Sequence, residues 1–161
     1  MVDRRLKLVT VGGTFDLLHK GHQTLLEEAF KVADRVLIGL TTDEFAKKLH
    51  DHYFDPFEKR YSALKRFLEE RGYSDRAEII PINNPYGPTV ENGAIEGIIV
   101  SEETEPRADE INRLRVERGL RPLLVFCIKM VLAEDGKPIS STRIRRGEID
   151  RYGRVIRRRP E

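Results

Sequence analysis

The stretch that decides the fold is Gly12-Gly13-Thr14-Phe15-Asp16-Leu17-Leu18-His19-Lys20-Gly21-His22. It follows an apolar run typical of a β-strand, residues 6–11, and precedes an apolar pattern of helical spacing over residues 25–33. The first backbone amides of a helix have no partner within it, and the helix dipole favours an anion there. A strand, a glycine-containing loop and a helix start in this order therefore predict a phosphate-binding loop.

Two histidines stand at the predicted helix start. His19 and His22 are three residues apart, so a helix that begins near His19 places both rings on one face. Gly21 lies between them and, having no side chain, is expected to let a nucleotide approach the backbone. A glycine turn with two surface histidines is the alternative interpretation of the same residues.

The combination of Gly13-Thr14-Phe15-Asp16 with His19-Lys20-Gly21-His22 resembles the signature of the nucleotidyltransferase superfamily, which joins a nucleoside triphosphate to a phosphate-bearing acceptor. The pattern H-x-G-H alone is weak, but joined to G-T-F-D after a strand it is specific. The resemblance implies that His22 stabilises the transition state, that His19 also contacts the phosphates, and that Gly13, Thr14 and Phe15 contribute to ATP binding. Thr14 is expected at the acceptor as well.

The chemistry implied by this resemblance is an in-line displacement at the α-phosphorus. Because the acceptor phosphate is already a competent nucleophile, positioning and charge neutralisation are what the protein must supply. We therefore interpret Asp16 as a carboxylate that braces the loop or caps the helix, and not as a general base.

A second segment, Ile139-Ser140-Ser141-Thr142-Arg143-Ile144-Arg145, resembles the serine- and threonine-rich turn that holds the β- and γ-phosphates in the same superfamily. Ser140, Ser141, Thr142 and Arg143 are the expected ATP ligands, since hydroxyls and a cation suit a departing pyrophosphate. An ordinary helix cap is the alternative. Arg143 is the better phosphate candidate, whereas Arg145 and Arg146 are expected to face solvent.

Three further cationic residues are candidates for binding the acceptor phosphate. Lys47 and Lys48 stand where the family places a catalytic lysine that bridges the acceptor and the α-phosphate, and either one fits the pattern. Two exposed helix lysines are the alternative interpretation. Arg60, on the following helix, is expected either to bind the acceptor phosphate or to face solvent.

Segments along most of the chain resemble archaeal and eukaryotic phosphopantetheine adenylyltransferases. They are Asn84-Pro85-Tyr86-Gly87-Pro88-Thr89, Val100-Ser101-Glu102-Glu103-Thr104 and Ile111-Asn112-x-x-Arg115. The resemblance implies transfer of AMP from ATP to 4′-phosphopantetheine, with Mg²⁺ bound through the ATP phosphates and no protein metal site. The glycine-leucine-arginine segment of the bacterial enzymes is replaced here by Ser101 to Thr104, so its contacts with adenine and phosphate are not carried over. Ser101 and Asn112 are ATP-binding candidates by position alone.

Two functions in the same superfamily remain as alternatives: FAD synthetase and glycerol-3-phosphate cytidylyltransferase. Their second signature resembles R-T-x-G-I-S-T-T, which this chain lacks. An alternative of another class is an RNA- or anion-binding module that uses the arginines between Arg151 and Arg159. Because aromatic residues other than Tyr152 are missing there, we expect no nucleic-acid partner.

The whole chain of 161 residues predicts one domain, 1–161, with a basic C-terminal tail from about residue 147. Apolar runs at residues 6–11, 35–41, 77–82, 95–101 and 122–130 alternate with helical patterns, which predicts an α/β fold with a parallel sheet. The resemblance implies a Rossmann-like, doubly wound sheet of strand order 3-2-1-4-5 with helices on both faces. The predicted site residues follow strands and should therefore meet at one edge of the sheet.

Composition narrows the class of protein further. The net charge is +2, but residues 143–161 contain eight arginines and three acidic residues, a local charge of +5. The single cysteine, Cys127, excludes a disulfide within the chain and a cysteine metal cluster, and its apolar surroundings predict a buried thiol. No segment resembles a signal peptide or a membrane span. We expect a cytoplasmic monomer.

Overall fold

The computed structural model describes residues 5–157 and contains one five-stranded sheet. Its strands are β1 (Leu6–Gly13), β2 (Ala33–Thr41), β3 (Ala77–Ile82), β4 (Gly97–Ser101) and β5 (Leu124–Ile128). Their order is β3-β2-β1-β4-β5, and every neighbouring pair is parallel. The predicted fold class and strand order are confirmed.

In the described part of the chain, five α-helices connect and flank the strands. They are α1 (Lys20–Val32), α2 (Asp43–Leu49), α3 (Phe57–Glu70), α4 (Glu105–Glu117) and α5 (Ser141–Arg145). Short 3₁₀ turns at Asp16–Leu18 and Ser74–Arg76 precede α1 and β3. Among residues 5–157, no helix combines the length and the apolar character that crossing a membrane requires.

The side chains of each strand alternate between two cores, one on each face of the sheet. On one face, Val9 and Val11 pack with the apolar sides of α1 and α3, represented by Leu26 and Leu64. On the other face, Leu37, Ile98 and Val100 pack with Ala108 and Ile111 of α4. Helices therefore cover both faces, as expected, and the carboxyl ends of the strands stay open at one edge.

Several details differ from the sequence-based expectations. Cys127 is exposed, so the prediction of a buried thiol is wrong. It lies on β5, the last strand at one edge of the sheet, where Phe126 and Ile128 point to the first core instead. Tyr61 of α3 is 37% exposed, although the spacing of apolar residues in that helix predicts a buried side chain.

The segment after α5 packs onto the domain in its described part. Ile149 is fully buried with Ala133 and Ile139, and the backbone amide of Lys20 donates to the Arg151 carbonyl at 2.8 Å. The arginines at positions 158 and 159, which belong to the predicted basic tail, lie outside the described residues.

Candidate active site

A cleft of about 390 Å³ opens at the carboxyl ends of β1, β2 and β4. Of the predicted ATP-binding residues, Gly13, Thr14, Phe15, His22, Ser101 and Ser141 line it. The two segments that are predicted to bind phosphate, about 120 residues apart in the sequence, thus meet in one cavity. This convergence follows from the parallel sheet, because the loops that follow its strands emerge on the same edge.

The two histidines cap the first turn of α1. His19 Nδ1 accepts the Gly21 N–H, and His22 Nδ1 accepts the His19 N–H, both at 3.1 Å. Their rings stack with centroids 3.7 Å apart, and His22 is the one that faces the cleft. Since Nδ1 of each ring is an acceptor, we infer that each neutral ring carries its proton on Nε2.

Both imidazoles are neutral at pH 7. Burial lowers the pKa of His19 from 6.5 to about 4, although Asp16 acts in the opposite direction. Burial and the neighbouring His19 lower the pKa of His22 well below its ordinary value. The pair therefore offers N–H donors without a positive charge that would have to be desolvated.

Gly21 has a different role from the expected one. A Cβ at this position would lie 2.9 Å from Cε1 of His19, closer than side chains approach each other. The glycine therefore makes room for the His19 ring, while the close approach of a nucleotide to its backbone stays a prediction.

The loop between β1 and α1 has an unusual backbone. Phe15, Leu17 and Leu18 have φ angles of 50°, 63° and 36°, in the left-handed region that non-glycine residues rarely adopt. Asp16 holds this loop: its carboxylate is buried and accepts the Asp55 N–H at 3.0 Å. The interpretation of Asp16 as a loop brace is confirmed, and strain of this kind is typical of functional sites.

Arg145 joins this loop to the second segment. Its Nη2 donates to both carboxylate oxygens of Asp16, at 2.9 and 3.1 Å, and to Asp55 at 3.2 Å. Its guanidinium also lies 4.6 Å from the centre of the Tyr53 ring. The expectation that Arg145 is merely solvated is wrong. The ion pair with Asp16 spans 129 residues of sequence, so no local pattern indicates it.

Arg143 points away from the cleft. It forms an ion pair with Asp135 and donates to the carbonyls of Lys137 and Pro138, at 3.4 and 3.1 Å. Its backbone amide donates to Ser140 Oγ at 3.2 Å, so Ser140 caps α5 while Ser141 faces the cleft. Thr142 lies one residue further along α5, outside the residues that line the cavity.

Arg60 is fully buried, and the alternative that it faces solvent is wrong. It donates to the carbonyls of Asp55 and Thr14, at 2.7 and 3.0 Å, and to the Asp43 carboxylate at 2.9 Å. It also donates to the Thr41 hydroxyl at 3.3 Å. Arg60 therefore holds the loop that carries Thr14; its proposed contact with the acceptor phosphate stays a prediction.

The remaining candidates lie in different surroundings. Lys47 and Lys48 are both exposed on α2, and Lys47 lines a second cavity next to the cleft. The side-chain amide of Asn112 donates to the Leu123 carbonyl at 2.9 Å and accepts its N–H at 2.6 Å. Asn112 thus fixes the start of β5, outside the residues that line the cleft.

Sequence reasoning missed His50 and Thr41. Thr41 ends β2 and donates its hydroxyl to Thr14 Oγ1 at 3.0 Å; His50 Nε2 lies 3.1 Å from the same oxygen. Burial and the nearby His52 lower the pKa of His50. The available signal was position: Thr41 ends a strand and His50 ends the short helix after it, so both belong to the edge where ligands bind.

Comparisons with known proteins agree with this geometry. The model of the family described as cytidylyltransferase-like matches residues 10–147. A phosphopantetheine adenylyltransferase of Methanopyrus kandleri is 51% identical over 146 residues, 91% of this chain and 92% of that protein. One of Methanothermobacter thermautotrophicus is 49% identical over 155 residues, 96% of this chain and 93% of that protein.

Solved structures show the same fold. A protein of unknown function from Archaeoglobus fulgidus matches with a TM-score of 0.68 and 36% identity, over 76% of this chain and 89% of that one. A pantoate-beta-alanine ligase from Francisella tularensis matches with a TM-score of 0.57 at 13% identity, over 88% of this chain and 65% of that one, a likeness of fold alone.

Proposed function

We propose that this chain, which belongs to the cytidylyltransferase-like family, transfers the adenylyl group of ATP to 4′-phosphopantetheine. The products are dephospho-coenzyme A and pyrophosphate, and the reaction is a step of coenzyme A synthesis. The names of the relatives, at about half identity over most of the chain, support this reaction. The structural observation that carries it is one cleft lined by both His22 and Ser141.

In the proposed reaction an oxygen of the acceptor phosphate attacks the α-phosphorus, and the bond from that phosphorus to the pyrophosphate oxygen breaks. No proton has to be removed from the attacking oxygen, so a general base is unnecessary. The neutral His22 ring donates its Nε2–H to the phosphoryl oxygens as charge accumulates on them. His19, stacked behind it, supports the His22 ring and caps the helix.

The departing pyrophosphate is proposed to lie against Ser141, in the cleft that His22 also lines. Ser140 caps α5 behind it, and Arg145 holds this segment against the Asp16 loop. The acceptor phosphate is proposed to lie near Thr14, with Lys47 or Lys48 reaching it from α2. Both lysines are exposed on α2, and Lys47 lines the second cavity next to the cleft.

Magnesium is proposed to enter with ATP. Among residues 5–157, no group of three or more His, Cys, Asp or Glu side chains is arranged to hold a metal ion. Mg²⁺ keeps several waters and is commonly bound through substrate phosphates, where it would neutralise phosphate charge.

Pyrophosphate release from the purified protein tests the reaction. Phosphopantetheine, FMN and glycerol 3-phosphate are each supplied with ATP and with CTP. We expect release with phosphopantetheine and ATP. Release with FMN and ATP alone would instead support an FAD synthetase, and release with glycerol 3-phosphate and CTP a cytidylyltransferase. Light scattering of the same sample tests the expected monomer.

A further inference from the structure

His50 is placed to control the hydroxyl of Thr14. It follows the last turn of α2, and its Nε2 lies 3.1 Å from Thr14 Oγ1. The ring lines both the cleft and the second cavity beside it, so it stands at the boundary between the two spaces. Thr14 lies on the loop that carries the phosphate-binding residues, and its hydroxyl is thus held from the side of α2.

The direction of the hydrogen bonds follows from Arg60, which can only donate. Its Nη1 donates to Thr41 Oγ1 at 3.3 Å, which leaves the Thr41 proton free to be donated onward. Thr41 donates this proton to Thr14 Oγ1 at 3.0 Å. The Thr14 oxygen then has one lone pair and its own proton left, and His50 Nε2 lies within reach of either.

These two possibilities have opposite consequences for the cleft. If Nε2 accepts, the Thr14 proton points at His50 and away from any ligand. If Nε2 carries a proton, it donates to the remaining lone pair of Thr14. Both lone pairs are then occupied, and the Thr14 proton is left to point at a ligand oxygen.

We propose that His50 is a positioning residue for the transfer reaction: its Nε2–H donates to Thr14 Oγ1 and directs the Thr14 hydroxyl proton to a phosphate oxygen. The inference rests on the proposed function only in taking a phosphate as the ligand. Thr14 touches the substrate, and His50 acts through Thr14.

The groups around His50 keep the ring neutral at pH 7. Burial lowers its pKa first, followed by the nearby His52, and Arg60 acts in the same direction. Asp16 and Asp51 raise the pKa but do not outweigh them. A neutral ring with Nε2 protonated donates to Thr14 without placing a second cation next to Arg60. Phe54 packs edge-on against the ring, with centroids 6.3 Å apart, and helps to hold its orientation.

A double-mutant cycle tests the proposal. Glutamine can place an amide N–H near the position of Nε2, whereas asparagine is too short and leucine has no donor. We expect His50→Gln to keep kcat within about threefold, and His50→Asn and His50→Leu to lower it by about tenfold, the loss of one hydrogen bond. In a Thr14→Val background, His50→Leu should have no further effect, because the group that it positions is gone.

The cycle is run with whichever acceptor and nucleotide the wild-type protein turns over. If that acceptor is not phosphopantetheine, the proposed function is wrong, but the role of His50 can still be tested. An unchanged kcat in His50→Leu would overturn the role of His50. So would an equal loss in the Thr14→Val background, since His50 would then act independently of Thr14.

A spectroscopic measurement tests the proposal without turnover. The ¹⁵N chemical shifts of the His50 ring, recorded with ATP bound, distinguish a ring protonated on Nε2 from one protonated on Nδ1. We expect protonation on Nε2 in the wild-type protein, and the same tautomer when pyrophosphate replaces ATP. A ring protonated on Nδ1 in the ATP complex would overturn the proposal, because it accepts from Thr14 instead of donating to it.

Discussion

Each half of the sheet buries one arginine, and the two arginines stabilise different loops. Arg60 and Arg115 are among the largest fully buried side chains of the described residues. Arg115, on α4 beside β4 and β5, donates only to backbone carbonyls: those of Thr89, Asn92, Ile95 and Arg121. Arg60, on α3 beside β1 and β2, donates to two carbonyls, to a hydroxyl and to a carboxylate.

The difference lies in where the hydrogen bonds lead. The contacts of Arg115 end at backbone carbonyls, three of them in the loop between β3 and β4 and one in the turn between α4 and β5, so they determine the shape of these connections. The contacts of Arg60 continue through Thr41 to Thr14 and His50 at the cleft. Arg115 thus acts on the cleft only through the backbone of a loop that lines it, at Thr89. Arg60 is connected to side chains of the proposed site, Thr14 and His50.

The largest expected effect comes from removing either arginine. We expect Arg60→Met and Arg115→Met each to lower the free energy of unfolding by about 3 to 5 kcal/mol, because several buried acceptors lose their donor. Only Arg60→Met should also lower kcat, measured under conditions where both variants are folded. Denaturant unfolding and pyrophosphate release together test this. A similar loss of kcat in both variants would break the comparison between the two halves.

The next largest effect distinguishes the proposed catalytic role of His22 from its role in capping α1. His22→Ala should lower kcat by about a hundredfold to a thousandfold, because a donor to the phosphoryl oxygens is lost. It also removes the acceptor for the His19 N–H, which costs about 1 kcal/mol and lowers Tm by roughly 2 to 4 °C. His22→Asn is the matched control: its Oδ1 can replace Nδ1 as the cap, so Tm should recover while kcat stays low. Recovery of kcat in His22→Asn would contradict the assigned role.

The pH dependence of stability gives an effect of similar size at His19. The unfolded residue takes up a proton near pH 6.5, whereas the folded residue does so only near pH 4. Between these values the unfolded state binds more protons, so the free energy of unfolding decreases as the pH falls. For His19 alone the decrease amounts to roughly 3 kcal/mol by pH 4.

His19→Asn tests this contribution, because asparagine keeps an acceptor for the Gly21 N–H but does not titrate. Its free energy of unfolding, measured by denaturant titration at several pH values, should decrease less steeply than that of the wild-type protein between pH 6.5 and 4. Identical slopes would mean that another group causes the acid instability. The half that contains Arg115 has no histidine among the described residues, so this effect also distinguishes the two halves.

Sequence reasoning predicted the parts of this site that depend on local pattern and chain order. The alternation of strands and helices predicts a parallel sheet, and a parallel sheet brings Thr14, His22 and Ser141 to one edge whatever their separation in sequence. The histidine motif could be interpreted because its capping contacts lie within three residues of each other.

The contacts that sequence reasoning missed join residues far apart in the chain. Arg145 pairs with Asp16 across 129 residues, and Arg60 reaches the Thr14 carbonyl across 46. Helical spacing assigns a lone arginine to solvent, because burial of its charge depends on partners that no local pattern reveals. Cys127 shows the converse, since an apolar run predicts a buried strand but not which strand lies at the edge.

The smallest expected effect decides between the two arginines of the second segment. Arg145 holds Asp16 and Asp55, so Arg145→Gln leaves two buried carboxylates without their shared donor and loosens the loop beneath His22. We expect kcat/KM for ATP to fall by about tenfold, the effect of losing one charge-assisted contact. Arg143→Gln breaks the ion pair with Asp135 and the hydrogen bonds to nearby carbonyls, all made by a side chain that does not line the cleft, and we expect a change of less than about twofold. Arg145→Lys keeps the charge but loses the planar guanidinium that lies over the Tyr53 ring, and it should fall between them. A larger loss of kcat/KM in Arg143→Gln than in Arg145→Gln would instead support Arg143 as the phosphate ligand, as its position in the sequence predicts. It would also show that the Asp16 loop keeps its shape without Arg145, leaving Arg60 as the cation that links packing to catalysis in this half.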